Sequence, residues 1–392
     1  MSEGRRGLVS EDPIERLRRR FARVAVVHDW LTIPGGSEDV VADLLTMFPD
    51  AELFTSVYDP EPWPAVIRDR PVHASWLNRI PGAVRHYPKL LPLMTGAFRS
   101  FDLSRFDLVL SSSHATAKNV RTPPTALHVC YCHTPMRYAW DESLLEGEEI
   151  GALTRLGLPL LLRRLRRQDV EGAAGPDAIV ANSRHVAARI RSHWGRDSEV
   201  VNPPVEVDRL LALGRSPEDY YLVFGRVVPY KRVELAVAAC RLLGRRLIVA
   251  GGGRGLAAVR AAAAGAAGVE LRGRVDDAER DRLMAGARAL LFPGEEDFGI
   301  APLEANASGR PVIAYAGGGA LDTVVDGRTG ILFERQEVEC LIEAVRRAEA
   351  TDWDADVVRA HARKFDRQVF REQLQQFVGE SIAAHAAGAR FA

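Results

Sequence analysis

The sequence predicts an α/β protein of two domains, each a parallel sheet wound with helices. Three observations carry that expectation. A strand-then-helix alternation runs twice along the chain, a pair of prolines separates the two runs, and 392 residues suit two such domains better than one. Hydrophobic residues make up 47% and charged residues 27%, ordinary values for a chain able to build real cores.

Residues 1–20 are a polar, charged leader, either mobile or a short helix, without the apolar stretch of a secretory signal. Residues 23–28 (RVAVVH) are short, apolar and rich in Val, as a strand buried on both faces requires. A loop with Gly35 and Gly36 follows, then a helical pattern through Val40, Val41, Leu44 and Leu45. Strand, glycine turn, helix is the opening of a doubly wound sheet. Further strands are expected at 108–111, 126–132 and 178–181, with a helix over roughly 184–193. Asn202-Pro203-Pro204 then interrupts, because two prolines fit neither a central strand nor a helix interior.

A second alternation begins beyond them, with strands at 221–224, 246–250, 269–271, 289–292 and 312–315. Val338, Leu341, Ile342 and Val345 mark one helical face. The Ala-rich stretch 255–268 reads as a surface helix. Phe370, Leu374, Phe377 and Val378 mark a last amphipathic helix. The expected division is 1–202, 203–369 and a C-terminal helix at 370–392. Two doubly wound domains facing each other leave a cleft between the carboxyl ends of their sheets.

Lys plus Arg number 52, as do Asp plus Glu, so a bulk basic field for nucleic acid is excluded. Four cysteines are too few for a disulfide scaffold and point to a reducing, cytoplasmic setting. No apolar run reaches the length of a bilayer span.

The segment 293–309, PGEEDFGIAPLEANASG, follows a strand and carries the most chemistry. Pro302 suits the first turn of a helix, which places the amides of Phe298, Gly299, Ile300 and Ala301 at its N-terminus, an anion site fit for a diphosphate. Glu296 lies before the turn and Glu304 just inside the helix, so the two carboxylates can accept hydroxyls from different parts of one extended ligand. Read as structure alone, Glu296 is a solvated loop residue and Glu304 a first-turn acid favoured by the helix dipole. Residues 224–231, FGRVVPYK, place Arg226 and Lys231 on a strand-to-helix loop, where two cations can neutralise a diphosphate as it departs. His133 ends the 130–133 run Cys-Tyr-Cys-His at a strand end, which favours the cleft over a core position. No second Cys/His cluster lies at zinc spacing, so a metal site is not expected there.

The pattern strand-G-R-x-x-x-x-K, followed about seventy residues later by E-x-F-G-x-x-x-x-E, resembles the retaining glycosyltransferases of family 4, which have the GT-B fold. HDWL with the glycines at 28–36, SSSHATAK at 111–118 and CYCHTPMRYAWD at 130–141 are similar to bacterial mannosyltransferases of O-antigen and exopolysaccharide assembly. The resemblance implies two Rossmann-like domains across a cleft, with the C-terminal helix crossing back to the N-domain. It implies transfer of a hexose, mannose from GDP-mannose, to a glycan or lipid-linked acceptor without a cofactor or a metal. It assigns Arg226 and Lys231 to the diphosphate, Glu296 to the donor sugar and Glu304 to the ribose. Phe298, Gly299 and Ile300 would meet sugar and phosphate through their amides, and Gly35 and Gly36 would approach phosphate and acceptor. His133 would lie near the reacting sugar, and Gly273, Arg274 and Val275 would seat the base. Asp322, in AGGGALDTVVDG, stands where relatives usually have Glu, and Asp39 where an arginine is usual.

Other readings stay open at this point. A GT-B phosphorylase or epimerase would use the same cleft, and a non-catalytic protein would bind sugar nucleotide without turnover. A dehydrogenase is weaker, since the first strand leads into no GxGxxG. Leu158, Leu161, Leu162 and Leu165 fall on one helical face, with Arg163, Arg164, Arg166 and Arg167 on the other side. The leucines either pack on the core or, with the arginines, attach the protein peripherally to the anionic inner face of the plasma membrane.

Overall fold

The computed structural model describes residues 13–61, 63–141, 152–214 and 216–386. The chain divides into two compact units, one made of residues 1–132, 167–180 and 371–392, the other of 133–166 and 181–370. Residues 133–166 and 181–202, expected with the N-terminal domain, pack with the second unit in this division. The helix Arg367–Ala386 returns the chain to the first unit from Arg371 onward. Most of the leader lies outside the described residues; its last part is the helix Pro13–Arg20.

In the first unit the strands are β1 (Val24–His28), β2 (Glu52–Thr55), β3 (Val72–Ala74), β4 (Leu108–Ser113), β5 (Leu127–Cys132) and β6 (Ala178–Ala181). They lie in the order β3-β2-β1-β4-β5-β6. β1 pairs in parallel with both β2 and β4, β2 with β3, and β4 with β5. Every residue of β1, β4 and β5 is buried, which explains the continuous apolar runs read from the sequence. β2 and β3 went unread because they are short and carry polar residues (Glu52, Thr55, His73).

The order reverses at β1 and β4, and a buried polar network occupies that point. Asp29, just past β1, accepts the backbone N–H groups of His114, Ala115, Thr116 and Ala117 at 2.5–2.9 Å. Burial alone would raise its pKa; the His114 and His28 rings and these amides outweigh burial and hold the carboxyl below its usual range. His28 Nε2 lies 3.2 Å from Glu38 Oε1, which ties the first turn of the helix Gly36–Met47, and with it the loop at Gly35, to the end of β1. Lys118 is fully buried and donates to Asp169 at 2.6 Å and to the Ala115 carbonyl at 2.7 Å. The SSSHATAK segment is therefore a scaffold of the first unit.

In the second unit, β7 (Glu199–Val200) precedes a sheet of β8 (Tyr221–Phe224), β9 (Leu247–Ala250), β10 (Val269–Gly273), β11 (Ala289–Phe292), β12 (Val312–Tyr315) and β13 (Gly330–Phe333). Its order is β10-β9-β8-β11-β12-β13, parallel throughout. Side chains alternate between two cores: Tyr221, Val223 and Leu291 join one, Leu222, Leu290 and Phe292 the other. The helix Val338–Glu349 lies on the first of these through Leu341, Ala344 and Val345, as its spacing predicts. The Ala-rich stretch is shorter than expected: the helix ends at Ala262, and Gly265, with φ near 73°, turns the chain toward β10.

Burial in β5 pushes the His128 pKa down to about 4 against the pull of Asp177. Unfolded, the ring has an ordinary pKa of about 6.5, so below that the unfolded chain binds the extra proton and stability falls with pH. Urea denaturation should show about 2 kcal/mol of stability lost between pH 7 and pH 5 from this residue. The same comparison in His128→Leu should be flatter by that amount; an unchanged slope would exclude His128 as the source.

Candidate functional site

The chain leaves β8 toward β9 on one side and reaches β11 on the other. Loops at such a switch point diverge and leave a crevice outside the carboxyl ends of the strands. Here they are residues 225–231 after β8 and 293–299 after β11, the two segments singled out by sequence.

The structure brings Lys231 and Glu296 together, with Nζ 2.7 Å from Oε1 and side chains 17% and 20% exposed. The approach depends on Gly294, since a Cβ there would stand 2.5 Å from the Lys231 Cα. Arg226 is exposed on the same loop as Lys231. Phe298 turns its ring into a small core with Val205, Leu303 and Ala307, so only its backbone is available to a ligand. Gly299 precedes the helix Ile300–Ala307, whose first turn has no side-chain cap. Its N–H groups thus remain for an anion. Glu304 is half-buried one turn into that helix.

Asp297, which the sequence reading passed over, fixes this loop. Its carboxylate accepts from the Thr134 hydroxyl at 3.1 Å and from Arg137 at 3.4 Å, and its carbonyl accepts from Ser183 Oγ at 2.5 Å. Burial would lower the Arg137 pKa, but Asp297 and Asp141 beside it hold it above the ordinary value. His133, 9% exposed, directly precedes Thr134 and so stands next to this junction. A cavity of about 430 Å³ adjoins it, lined among others by Arg137, Tyr230, Glu295, Glu296 and Asp297.

Gly273 ends the edge strand β10, and Arg274 and Val275 follow it, with Arg274 exposed and Val275 packed on the core. The run Gly251-Gly252-Gly253, unused in the sequence reading, joins this loop to the β8 loop. The Gly251 N–H donates to the Gly273 carbonyl at 2.6 Å, and a Cβ on Gly251 would fall 1.8 Å from the Gly225 carbonyl oxygen. A glycine run straight after a strand was the available signal. Gly35 and Gly36 belong to the first unit, at the start of the helix Gly36–Met47. Asp322 accepts hydrogen bonds from the backbone N–H and side chain of Arg184. Among the described residues no group of three or more His, Cys, Asp or Glu is arranged to hold a metal ion.

In the segment read as a basic amphipathic helix, Leu162 and Leu165 are buried. Arg166 donates to the Ala139 carbonyl and lies over the Trp140 ring, while Arg163 and Arg164 are exposed. No described helix is long and apolar enough to cross a membrane.

Residues 34–209 match the family described as Glycosyltransferase Family 4, and residues 213–365 match Glycosyl transferases group 1. The two matched segments follow one another along the chain, and each spans less than half of it. A D-inositol 3-phosphate glycosyltransferase of Mycobacterium marinum is 32% identical over 215 residues, 50% of this chain and 46% of that protein. One from Mycobacterium tuberculosis is 32% identical over 207 residues, 47% of this chain and 43% of that protein. The matches thus span less than half the length of these relatives. Sucrose-phosphate synthase of Thermosynechococcus elongatus has a similar fold, with a TM-score of 0.68 at 17% identity over 92% of this chain and 99% of that one. Anabaena HepE in complex with UDP and glucose gives 0.65 at 17% identity, over 91% and 99%. The α/β fold with two parallel Rossmann-like sheets is that of GT-B glycosyltransferases.

Asp297→Ala removes the carboxylate from Thr134 and Arg137 and should cost about 1–3 kcal/mol in chemical denaturation. Asp297→Asn keeps an acceptor for Thr134 and should cost less. Equal stability of Asp297→Ala and the parent chain would show that the junction does not hold the loop.

Proposed function

We propose that this chain is a retaining, metal-independent hexosyltransferase. It moves a sugar from a nucleoside diphosphate donor to a hydroxyl of a glycan or lipid-linked acceptor. One observation carries the reading: Lys231 and Glu296 meet at the switch point, a cation for a diphosphate beside a carboxylate for sugar hydroxyls. The curated relatives named as glycosyltransferases, and the HepE structure with UDP and glucose, support a sugar nucleotide as donor. Mannose and guanosine are the expected sugar and base, on the likeness of residues 28–36, 111–118 and 130–141 to mannosyltransferases.

In the reaction the bond from the anomeric carbon to the diphosphate oxygen breaks, and a bond to the acceptor oxygen forms on the same face. The acceptor's proton passes to the departing phosphate oxygen. Negative charge grows on that oxygen, and Arg226, Lys231 and the amides of 298–300 are the groups that meet it. Glu296 orients the sugar hydroxyls, His133 stands near the reacting carbon, and Glu304 holds the ribose. Gly273, Arg274 and Val275 seat the base; Gly35 and Gly36 are assigned to phosphate and acceptor by the family resemblance alone. No metal is needed, because side chains and amides supply the positive charge. Peripheral attachment to an anionic membrane surface rests on the exposed Arg163, Arg164 and Arg167, the last of them 2.7 Å from Glu171, since Leu162, Leu165 and Arg166 are engaged within the protein.

A calorimetric panel of GDP-, UDP- and dTDP-sugars in EDTA tests the donor. GDP-mannose should bind and turn over, with retained anomeric configuration in the product. Binding by none of them would sink the reading, and loss of turnover restored by Mg²⁺ would refute metal independence.

Lys231 serves both phosphate and Glu296, so its loss reaches both. Lys231→Ala should cost about 2–4 kcal/mol in kcat/KM, by analogy with a removed transition-state donor. Adding Glu296→Gln should cost less than the sum of the two by about 1 kcal/mol or more, as expected of side chains in contact. Strict additivity would mean that the ion pair has no part in turnover.

A further inference from the structure

We infer that residues 76–93 of the first unit form a second surface that lies on an anionic lipid bilayer. This rests on the membrane part of the proposed function and places the contact on residues not yet assigned to it. The stretch 70–101 holds five Lys or Arg and no Asp or Glu, although Asp and Glu make up 52 of the chain's 392 residues. It folds as a turn at Trp76–Arg79, the short helix Ala83–His86, a turn at Tyr87–Leu90 and the helix Leu91–Arg99. Each turn packs against both helices, so the four pieces form one layer. Leu77, Ala83, Leu91, Met94 and Phe98 are its buried side.

What the layer leaves outside is apolar and basic. Trp76 is 44% exposed, the most of the chain's six tryptophans. Val84 is exposed, and so is Leu93, on the far side of its helix from Leu91, Met94 and Phe98. Arg79, Arg85 and Lys89 are exposed, and none makes an ion pair among the described residues. A lone exposed leucine or valine is ordinary, but a large ring displayed from a fixed turn among uncompensated cations is not. Ser75 Oγ accepts the Leu77 N–H at 3.2 Å and donates to the Ser56 carbonyl at 2.8 Å, and Asn78 accepts the Tyr58 N–H at 3.0 Å. The turn is thus tied to the body on both sides of Trp76. An indole favours the bilayer interface, where its ring is dry and its N–H wet. Free cations beside it are drawn to anionic headgroups, and their stems add apolar contact. Nucleic acid would attract the same cations but gain nothing from Val84 and Leu93. A second copy would set these cations against their own kind.

The test is flotation of the full chain, without sugar nucleotide, on vesicles of phosphatidylglycerol with phosphatidylcholine and on phosphatidylcholine alone. Binding should require phosphatidylglycerol and fall as salt is raised. Arg79→Gln, Arg85→Gln and Lys89→Gln together should weaken it on the order of a hundredfold, at about fivefold per cation. Trp76→Ala should weaken it about tenfold. Tryptophan emission of the parent chain should shift to the blue on anionic vesicles, and the shift should be smaller in Trp76→Phe. Melting curves check that each variant folds, and the emission shift carries the test if the triple variant does not. A parent chain that ignores anionic vesicles at low salt would overturn this surface and the membrane reading together. Binding that survives the triple variant but is lost when Arg163, Arg164 and Arg167 become Gln would overturn this surface alone. A parent chain that is dimeric by light scattering and monomeric as Trp76→Ala would make the face a contact between copies instead. Failure of the glycosyl-transfer reading looks different: the chain would bind vesicles but no nucleoside diphosphate.

Discussion

Adjacency of β8 and β11 is the constraint from which the second unit's chemistry follows. Parallel pairing puts the carboxyl ends of both strands at one edge, and the crossover direction reverses between them. Their loops must then pass within contact distance, and a glycine at 294 lets the backbones do so. Lys231 and Glu296 can therefore be 65 positions apart in sequence and 2.7 Å apart in space. Asp297 adds the second fixed point, since its carboxylate and carbonyl bind Thr134, Arg137 and Ser183 together. Together with the Gly319 N–H, which donates to the Glu296 carbonyl at 2.8 Å, it fixes the loop that carries the Glu296 carboxylate.

What the sequence displayed, and what it hid, divides along physical lines. Strands buried on both faces were legible because burial on both faces demands a continuous apolar run: β8, β11 and β12 fall at the residues expected. β2, β3 and β13 were not, because β2 and β3 carry the polar Glu52, Thr55 and His73 and β13 opens on Gly330, which reads as turn. Lys231, Glu296 and the helix N-terminus at Ile300 were legible as spaced polar residues after strands. Asp297 was not, for its significance lies in partners that only the folded chain defines. A carboxylate between Glu296 and Phe298 looks like a spacer until Thr134 and Arg137 arrive beside it.

The segments that carried the likeness to mannosyltransferases illustrate a related point. Asp29 of HDWL binds four amides of the SSSHATAK loop, and Lys118 at the end of that loop is buried against Asp169. These residues hold a switch point together in the first unit. They would be needed whichever sugar or base the protein uses, so they report architecture more firmly than donor.

The contact between Arg371 and Asp43 carries a consequence for biosynthesis. Asp43 is fully buried, and its carboxylate is met at 2.6 Å by a residue 328 positions later. The first unit is the first to leave the ribosome and the last to be completed. At roughly 5–20 residues per second, Asp43 waits on the order of fifteen seconds to a minute for Arg371. Through that interval the helix Gly36–Met47 lacks its contact with the helix Arg367–Ala386. The second unit, already synthesised up to residue 370, can finish folding before the first does.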